Sequence, residues 1–402
     1  MRLVPTDPLV RRLALSTLVN RFGSGLFMTT SALFFTRSAG LSVGQVGIGL
    51  TIAGACGVAA SIPAGHAADR WDPRKLVVVL ALIEAAGMLS YVRVHSMATF
   101  LPAICLVAIV DQSGNAIRNT LIAVGLPLER RTPTRAYLRV VTNLAIGAGA
   151  AVAALALQAD TRTAYLSVII VDALTFVFAA ALLVRLPLVA SPEQGNGGPP
   201  RRALTDLPYL TITVLCAVLT VQFGILEVGL PLWIAGHTSA PRVMVSVVFL
   251  LNTAMIVLLQ VHATRRIDSV GAAGRAARRS GLLLGLACLV YAAAGGTAAW
   301  IAAVILIVGG VVQTFGEMIS AAVGWTLSYD LAAPDAPGAY QGVFNGGFAA
   351  GQMLAPLVVT TTALHLGRPG WLILAVVFVG AGAALLPASR WAIRTRTVSV
   401  PA

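Results

Sequence analysis

Segments of about 20 consecutive apolar residues recur along this whole chain, and they limit its fold more than any other feature. Each is long enough to cross the roughly 30 Å hydrocarbon layer of a bilayer as a helix. Spans are expected at about 12–36, 43–66, 75–94, 97–124, 134–158, 163–187, 208–235, 243–263, 278–296, 299–327, 338–364 and 370–389, twelve helices joined mostly by short loops. What lies between them is too small for a soluble domain. Of 402 residues, 57% are hydrophobic and 11% charged, whereas charged residues in a soluble protein approach about a quarter. The chain therefore reads as an all-α, multi-pass membrane protein.

The four cysteines, Cys56, Cys105, Cys216 and Cys288, fall inside apolar segments and read as small core residues. No Cys/His cluster has metal-ligand spacing, so no metal is expected. The basic N-terminus leads into an apolar run with no cleavage-type site, which predicts a retained first helix. There is no nucleophile elbow, paired-His zinc motif, phosphate loop or ATP-binding domain. The sequence thus predicts neither an enzyme nor a cofactor, and any work must draw on an ion gradient or on the substrate's own.

A net charge of +13 would suggest nucleic acid in a soluble protein, but here the distribution excludes it. Of the 28 Arg and Lys, twenty flank the spans on one side, five lie on the other, and Arg21, Arg118 and Arg139 sit within spans. This asymmetry puts both termini in the cytoplasm of a cell-membrane protein. All but Lys75 are arginine, a bias that suggests a GC-rich bacterial genome.

One long polar stretch, 188–206, divides the chain into an N-terminal bundle (1–187) and a C-terminal bundle (207–402) of six helices each. The halves share fragments in register. Arg21-Phe22-Gly23 matches Gln222-Phe223-Gly224, Gly114-Asn115 matches Gly316-Glu317, and Ala136-Tyr137 matches Ala339-Tyr340. Matches in register at half the chain length point to a duplicated bundle.

Between the second and third spans the chain reads Gly65-His-Ala-Ala-Asp69-Arg70-Trp-Asp-Pro-Arg74-Lys75. Gly65 allows close helix approach and a tight exit, Asp69 is an acceptor at a helix end, and Arg70, Arg74 and Lys75 hold the loop on the cytoplasmic side. The pattern resembles the signature loop of the major facilitator superfamily, and the resemblance extends over nearly the whole chain. It implies the twelve-helix fold of that superfamily, two six-helix bundles about a pseudo-two-fold axis, with a substrate site near the midplane between them. It also implies a monomer. The branch it is most similar to is the drug:proton antiporters. In many relatives the counterpart of Asp69 pairs with a basic residue near the start of the eleventh helix. Here residues 330–338 contain no Arg or Lys, so Asp69 is expected to accept from the unpaired N–H groups at that helix start.

Five acids lie within spans: Glu84, Asp111, Asp172, Glu227 and Glu317. At a helix centre each charge costs about 2.5–3.5 kcal/mol on insertion scales, so these groups must face protein or water. The resemblance places helices 1, 4, 7 and 10 around the cavity, which singles out Arg21, Asp111, Arg118, Glu227 and Glu317. Glu84 and Asp172 then read as buried acceptors on peripheral helices. Asp111, Asn115 and Arg118 share one face of helix 4, too far apart end to end for a direct Asp111–Arg118 salt bridge. They are either a polar stripe lining a pathway or an internal network locking the bundle. Gln222 and Gln313 accompany Glu227 and Glu317 on helices 7 and 10. A carboxyl in a low-dielectric cavity can take and release a proton near neutral pH, so Glu317, Glu227 and Asp111 are the proton-coupling candidates. Arg21, Arg118, Asn115, Gln222 and Gln313 are the candidate substrate residues. Glycines in helix 5 (Gly147, Gly149) and helix 11 (Gly346, Gly347, Gly351) are expected to let the halves approach, although helix 5 lacks the proline of the antiporter pattern.

The function expected is proton-coupled efflux of small amphipathic compounds by alternating access. The alternative is uptake of an organic anion or other nutrient, with Arg21 and Arg118 on the substrate.

Overall fold

The computed structural model describes residues 7–186 and 201–397; of the linker expected at 188–206, residues 188–200 lie outside them. Every regular element among the described residues is helical. We number the long helices α1 (Pro8–Leu33), α2 (Val43–Arg70), α3 (Pro73–Ser90), α4 (Met97–Gly125), α5 (Leu128–Ala159) and α6 (Arg162–Val184). The second half follows with α7 (Leu207–His237), α8 (Met244–Thr264), α9 (Val270–Ala294), α10 (Ala299–Asp330), α11 (Pro337–Leu364) and α12 (Arg368–Thr397).

The helix starts follow from local chemistry. Asp7 caps α1 and Asp72 caps α3, each followed by a proline at the first helical position, where no N–H is needed. Ser42 and Gln45 form a capping box on α2, and Ser269 caps α9. Gly296, at φ +75°, makes the turn between α9 and α10.

Eleven of these helices are long and apolar enough to cross a membrane. The twelfth, α1, is diluted by Ser16, Asn20, Arg21, Ser24 and Thr30 in its middle, which is why hydropathy alone undervalues it. Three boundaries differ from the sequence expectation by more than four residues. The start of α5, the start of α9 and the end of α12 each extend outward through arginine-bearing turns (Arg130 and Arg131; Arg275; Arg394 and Arg396). Charge there marks the water boundary rather than the end of the helix.

The chain packs as two compact units. The first holds residues 1–127, 137–200 and 333–346; the second holds 128–136, 201–332 and 347–402. Thus α11 begins in the first unit and α5 begins in the second. Within the first, the strongest helix pairings are α2 with α4, α1 with α6, α3 with α6 and α3 with α4. Within the second they are α8 with α10, α7 with α12, α9 with α12 and α9 with α10. Adding six to each helix number converts one set into the other, so both halves bury the same faces. An aromatic cluster fills one end of the first unit, Phe35 lying 4.7 Å from Phe100 and 5.2 Å from Tyr91. In the second, Trp371 lies 5.6 Å from Trp233 and 5.5 Å from Tyr291.

Candidate functional site

Polar groups in the first unit converge where α1 meets α4. Arg21 donates from Nη2 to Asn115 Oδ1 at 3.0 Å and lies 3.5 Å from Asp111 Oδ1. Asn115 Nδ2 donates in turn to Asp111 Oδ2 at 3.2 Å. The spacing i, i+4 on α4 puts both acceptors under one guanidinium. The Arg21 and Asp111 side chains are 22% and 30% exposed, so the pair is neither sealed nor fully solvated. Arg118, one turn further on, donates from Nε to the Gly114 carbonyl of its own helix at 3.2 Å. Glu84 and Asp172 are both buried. Asp172 accepts from the Thr175 hydroxyl at 3.3 Å and fills the space a side chain at Gly23 would need, so α1 and α6 touch there only because position 23 is glycine.

In the second unit the equivalent positions carry a neutral counterpart. Gln313 Nε2 donates to Gln222 Oε1 at 3.2 Å and to the Gln222 carbonyl at 3.1 Å, and it accepts from the Tyr291 hydroxyl at 2.7 Å. By the repeat offsets, Arg21 corresponds to Gln222 and Asp111 to Gln313. The same two positions therefore tie the first and fourth helix of each half, by an ion pair in one and an amide pair in the other. Asn115 corresponds to Glu317, one turn beyond Gln313 on α10. Glu317 is buried, 2% exposed, and accepts at Oε2 from Asn252 of α8 at 2.8 Å. Asn252 also lies 3.1 Å from the Thr314 hydroxyl.

Glu227 sits differently. It is exposed, at the centre of a π-helical turn, Ile225–Gly229, within α7. Pro231 follows four residues later and offers no N–H to the Glu227 carbonyl, so the regular ladder cannot run through this point. Such turns inside a membrane helix persist where protein or water supplies the missing partners.

The loop residues assemble around the start of α11. Asp69 accepts from the backbone N–H of Gly338 at 2.6 Å and of Ala339 at 2.7 Å, one oxygen to each. Both donors are first-turn groups with no partner inside the helix, and the dipole there favours an anion. Gly65 lies directly against Gly338 and Gly342, where a Cβ would meet the Gly342 backbone at 2.8 Å. Asn345 extends the contact, donating to Ser61 Oγ at 3.2 Å and to Gln112 Oε1 at 3.2 Å. Arg74 is held by Asp72 at 3.5 Å and by the Leu186 carbonyl at 3.1 Å, while Arg70 and Lys75 are exposed.

Of the glycines expected to bring the halves together, Gly346 of α11 does lie against α2, where a Cβ would meet the Val58 carbonyl at 3.5 Å, whereas Gly149 and Gly351 act within a bundle instead. Gly149 of α5 rests on the Phe22 carbonyl of α1, and Gly351 of α11 rests on the Ala217 carbonyl of α7. Both contacts join the first helix of a bundle to its fifth, at different points along the helices, and set the spacing of neighbours there. Gly147 faces open space.

Sequence reasoning missed Asn252 and Tyr291, the partners of Glu317 and Gln313. An asparagine in the apolar middle of α8, following Val247-Val248-Phe249-Leu250-Leu251, was the available signal. It also missed the broken α7, for which Pro231 was the cue. Among the described residues, no three His, Cys, Asp or Glu side chains cluster as a metal site requires.

Comparison with known proteins bears on this architecture. The family model of the Major Facilitator Superfamily matches residues 13–356. An uncharacterised MFS-type transporter of Escherichia coli, YdeE, is 23% identical over 379 residues, covering 93% of this chain and 94% of its own. Among solved structures, FucP in an outward conformation has a TM-score of 0.71 at 13% identity, covering 95% of this chain and 98% of its own. A bacterial homologue of the iron transporter ferroportin has a TM-score of 0.69 at 15% identity, covering 96% and 99%. The human organic anion transporter MFSD10 has a TM-score of 0.64 at 14% identity, covering 94% and 99%. These likenesses carry the fold, and the family match carries the class: the chain is a multi-pass transporter that belongs to the major facilitator superfamily.

Proposed function

We propose that this transporter is a proton-coupled exporter of small amphipathic compounds that works as a monomer, with Glu317 as the group that takes and releases the proton. The observation that supports this is the setting of Glu317: a carboxyl on α10, almost fully buried, hydrogen-bonded by the neutral amide of Asn252. A neutral carboxyl costs less to bury than a charged one, so proton uptake at such a position favours a closed, dry state and proton loss favours one open to water. That difference is what alternating access needs from a coupling group. Glu227, exposed beside the break in α7, is the second carboxyl on the route, and Asp111 is the third. Gln222 and Gln313 in the second unit, and Arg21, Asn115 and Arg118 in the first, are the candidate substrate residues. The apolar remainder suits neutral or cationic lipophilic substrates.

Asp69 has the gating role. Its two hydrogen bonds fix the first turn of α11 to α2, so opening at that end requires them to break. Uptake of an organic anion is the weaker reading, because Arg21 would first have to leave Asp111 and Asn115.

The test is transport in inside-out vesicles under an imposed pH gradient, using a panel of lipophilic cations and neutral dyes. Glu317→Gln is expected to abolish the gradient-driven component while leaving folding and substrate binding in place. Unchanged gradient-driven transport removes Glu317 from the mechanism.

A further inference from the structure

Where α8 ends and α9 begins, the second unit carries a hollow of about 670 Å³. His262, Arg265, Arg266, Arg275 and Arg279 surround it, and no acidic residue lines it. Asp268, on the connecting loop, is exposed and lies outside the lining. The floor is apolar, made by Ile267 of the loop and Ile319 of α10 among small alanines.

Several arginines elsewhere near the helix ends have partners. Arg396 pairs with Asp206 at 3.0 Å, Arg74 with Asp72, and Arg135 lies 5.7 Å over the Trp325 ring. By contrast, none of the five basic side chains around the hollow has an ion-pair or hydrogen-bond partner among the described residues. Retention on the cytoplasmic side needs basic residues near the span ends but does not need them to converge on one concavity. Arg275 and Arg279, four residues apart on α9, point the same way, while Arg278 between them does not line the hollow.

We infer that this hollow binds the phosphodiester headgroup of an anionic phospholipid from the leaflet that the arginine count assigns to the cytoplasm. Guanidinium groups suit phosphate because their paired N–H donors match two of its oxygens. The apolar floor suits the glyceride end of a lipid, which a free phosphate lacks. Lipid-facing basic hollows between helix ends have this combination of rim and floor.

The experiment uses the purified full chain in a neutral detergent. Its thermal unfolding midpoint is followed while phosphatidylglycerol, phosphatidylethanolamine or inorganic phosphate is titrated. Phosphatidylglycerol is expected to raise the midpoint saturably and the zwitterionic lipid not to. Arg275→Gln with Arg279→Gln is expected to weaken the apparent affinity about thirtyfold. Arg278→Gln, with a charge change on the same turn but off the hollow, is expected to leave it within about twofold. Should the double glutamine variant not fold, Arg275→Lys with Arg279→Lys keeps the charge and loses the fork, and a clear weakening is expected there too. Equal weakening by Arg278→Gln reduces the effect to general surface charge and overturns the site. A response to inorganic phosphate and none to phosphatidylglycerol overturns the lipid assignment, since the hollow then holds a soluble anion. No response to either overturns both.

Discussion

Asp69 shows how little a single residue needs in order to hold a helix. Each of its oxygens takes one first-turn N–H of α11, and a hydrogen bond to a charged group is worth about 1.5–3 kcal/mol. Asp69→Ala should therefore lower unfolding stability by about 2 kcal/mol, read as a lower thermal midpoint in detergent, and should speed exchange of the Gly338 and Ala339 amides. Unchanged exchange at both amides would mean that the cap is not made in solution. This contact was legible in the sequence: an acid in the loop, no basic residue before Tyr340, and a helix start with donors to spare. The partner of Glu317 was not. Asn252 and Glu317 are 65 positions apart, and nothing local to either residue indicates the other. The three acids expected to share one role also have three different surroundings: Asp111 under a guanidinium, Glu317 beside an amide, Glu227 exposed. Residue type alone carried none of that.

At the level of the helix, α7 and the α2–α11 contact lead to opposite expectations. Pro231 and the π turn before it leave α7 without its regular bonding next to Glu227. Pro231→Ala restores an N–H that can reach the Glu227 carbonyl, so it should raise stability by about 1 kcal/mol and slow transport as α7 stiffens. A faster transport rate in that variant would rule out a working role for the break. At Gly65, any Cβ meets the backbone of α11, which cannot give way as a side-chain end can. Gly65→Val should destabilise by about 2–3 kcal/mol, measured by the unfolding midpoint, whereas Gly147→Ala should be nearly neutral because nothing lies within reach. Helix existence and order were readable from apolar length. The π turn of α7 was not, because a π turn adds one residue to a turn without changing composition. The starts of α5 and α9 were hidden by arginines that lie on helices yet look like loop.

Across the whole molecule, the repeat is best seen in what ties each half together. The same four helix pairings recur in both units, and the same two positions carry the tie between the first and fourth helices, Arg21–Asp111 in one and Gln222–Gln313 in the other. The amide pair predicts how far the ion pair can be replaced. Arg21→Gln with Asp111→Gln should fold with stability within about 1 kcal/mol of the parent, whereas Asp111→Gln alone should cost about 2 kcal/mol by leaving a part-buried guanidinium without its counter-charge. If the double variant is the less stable of the two, the charges contribute something the second half obtains in another way. The duplication was visible as three short matches in the sequence, but the transfer of residues 128–136 and 333–346 between units was not, since it depends on packing across hundreds of positions. The clasp on α11 uses main-chain donors, so it has no complementary side chain that could drift in step with Asp69. Position 338 is confined to glycine by the neighbouring Gly65 carbonyl; at position 339 the hydrogen bond itself excludes only proline, which alone lacks the proton, and burial of Ala339 keeps its side chain small. Comparison of related chains would therefore show an unchanging acid with no charged or polar side chain changing in step with it, the mark of a latch whose other half is the peptide bond itself.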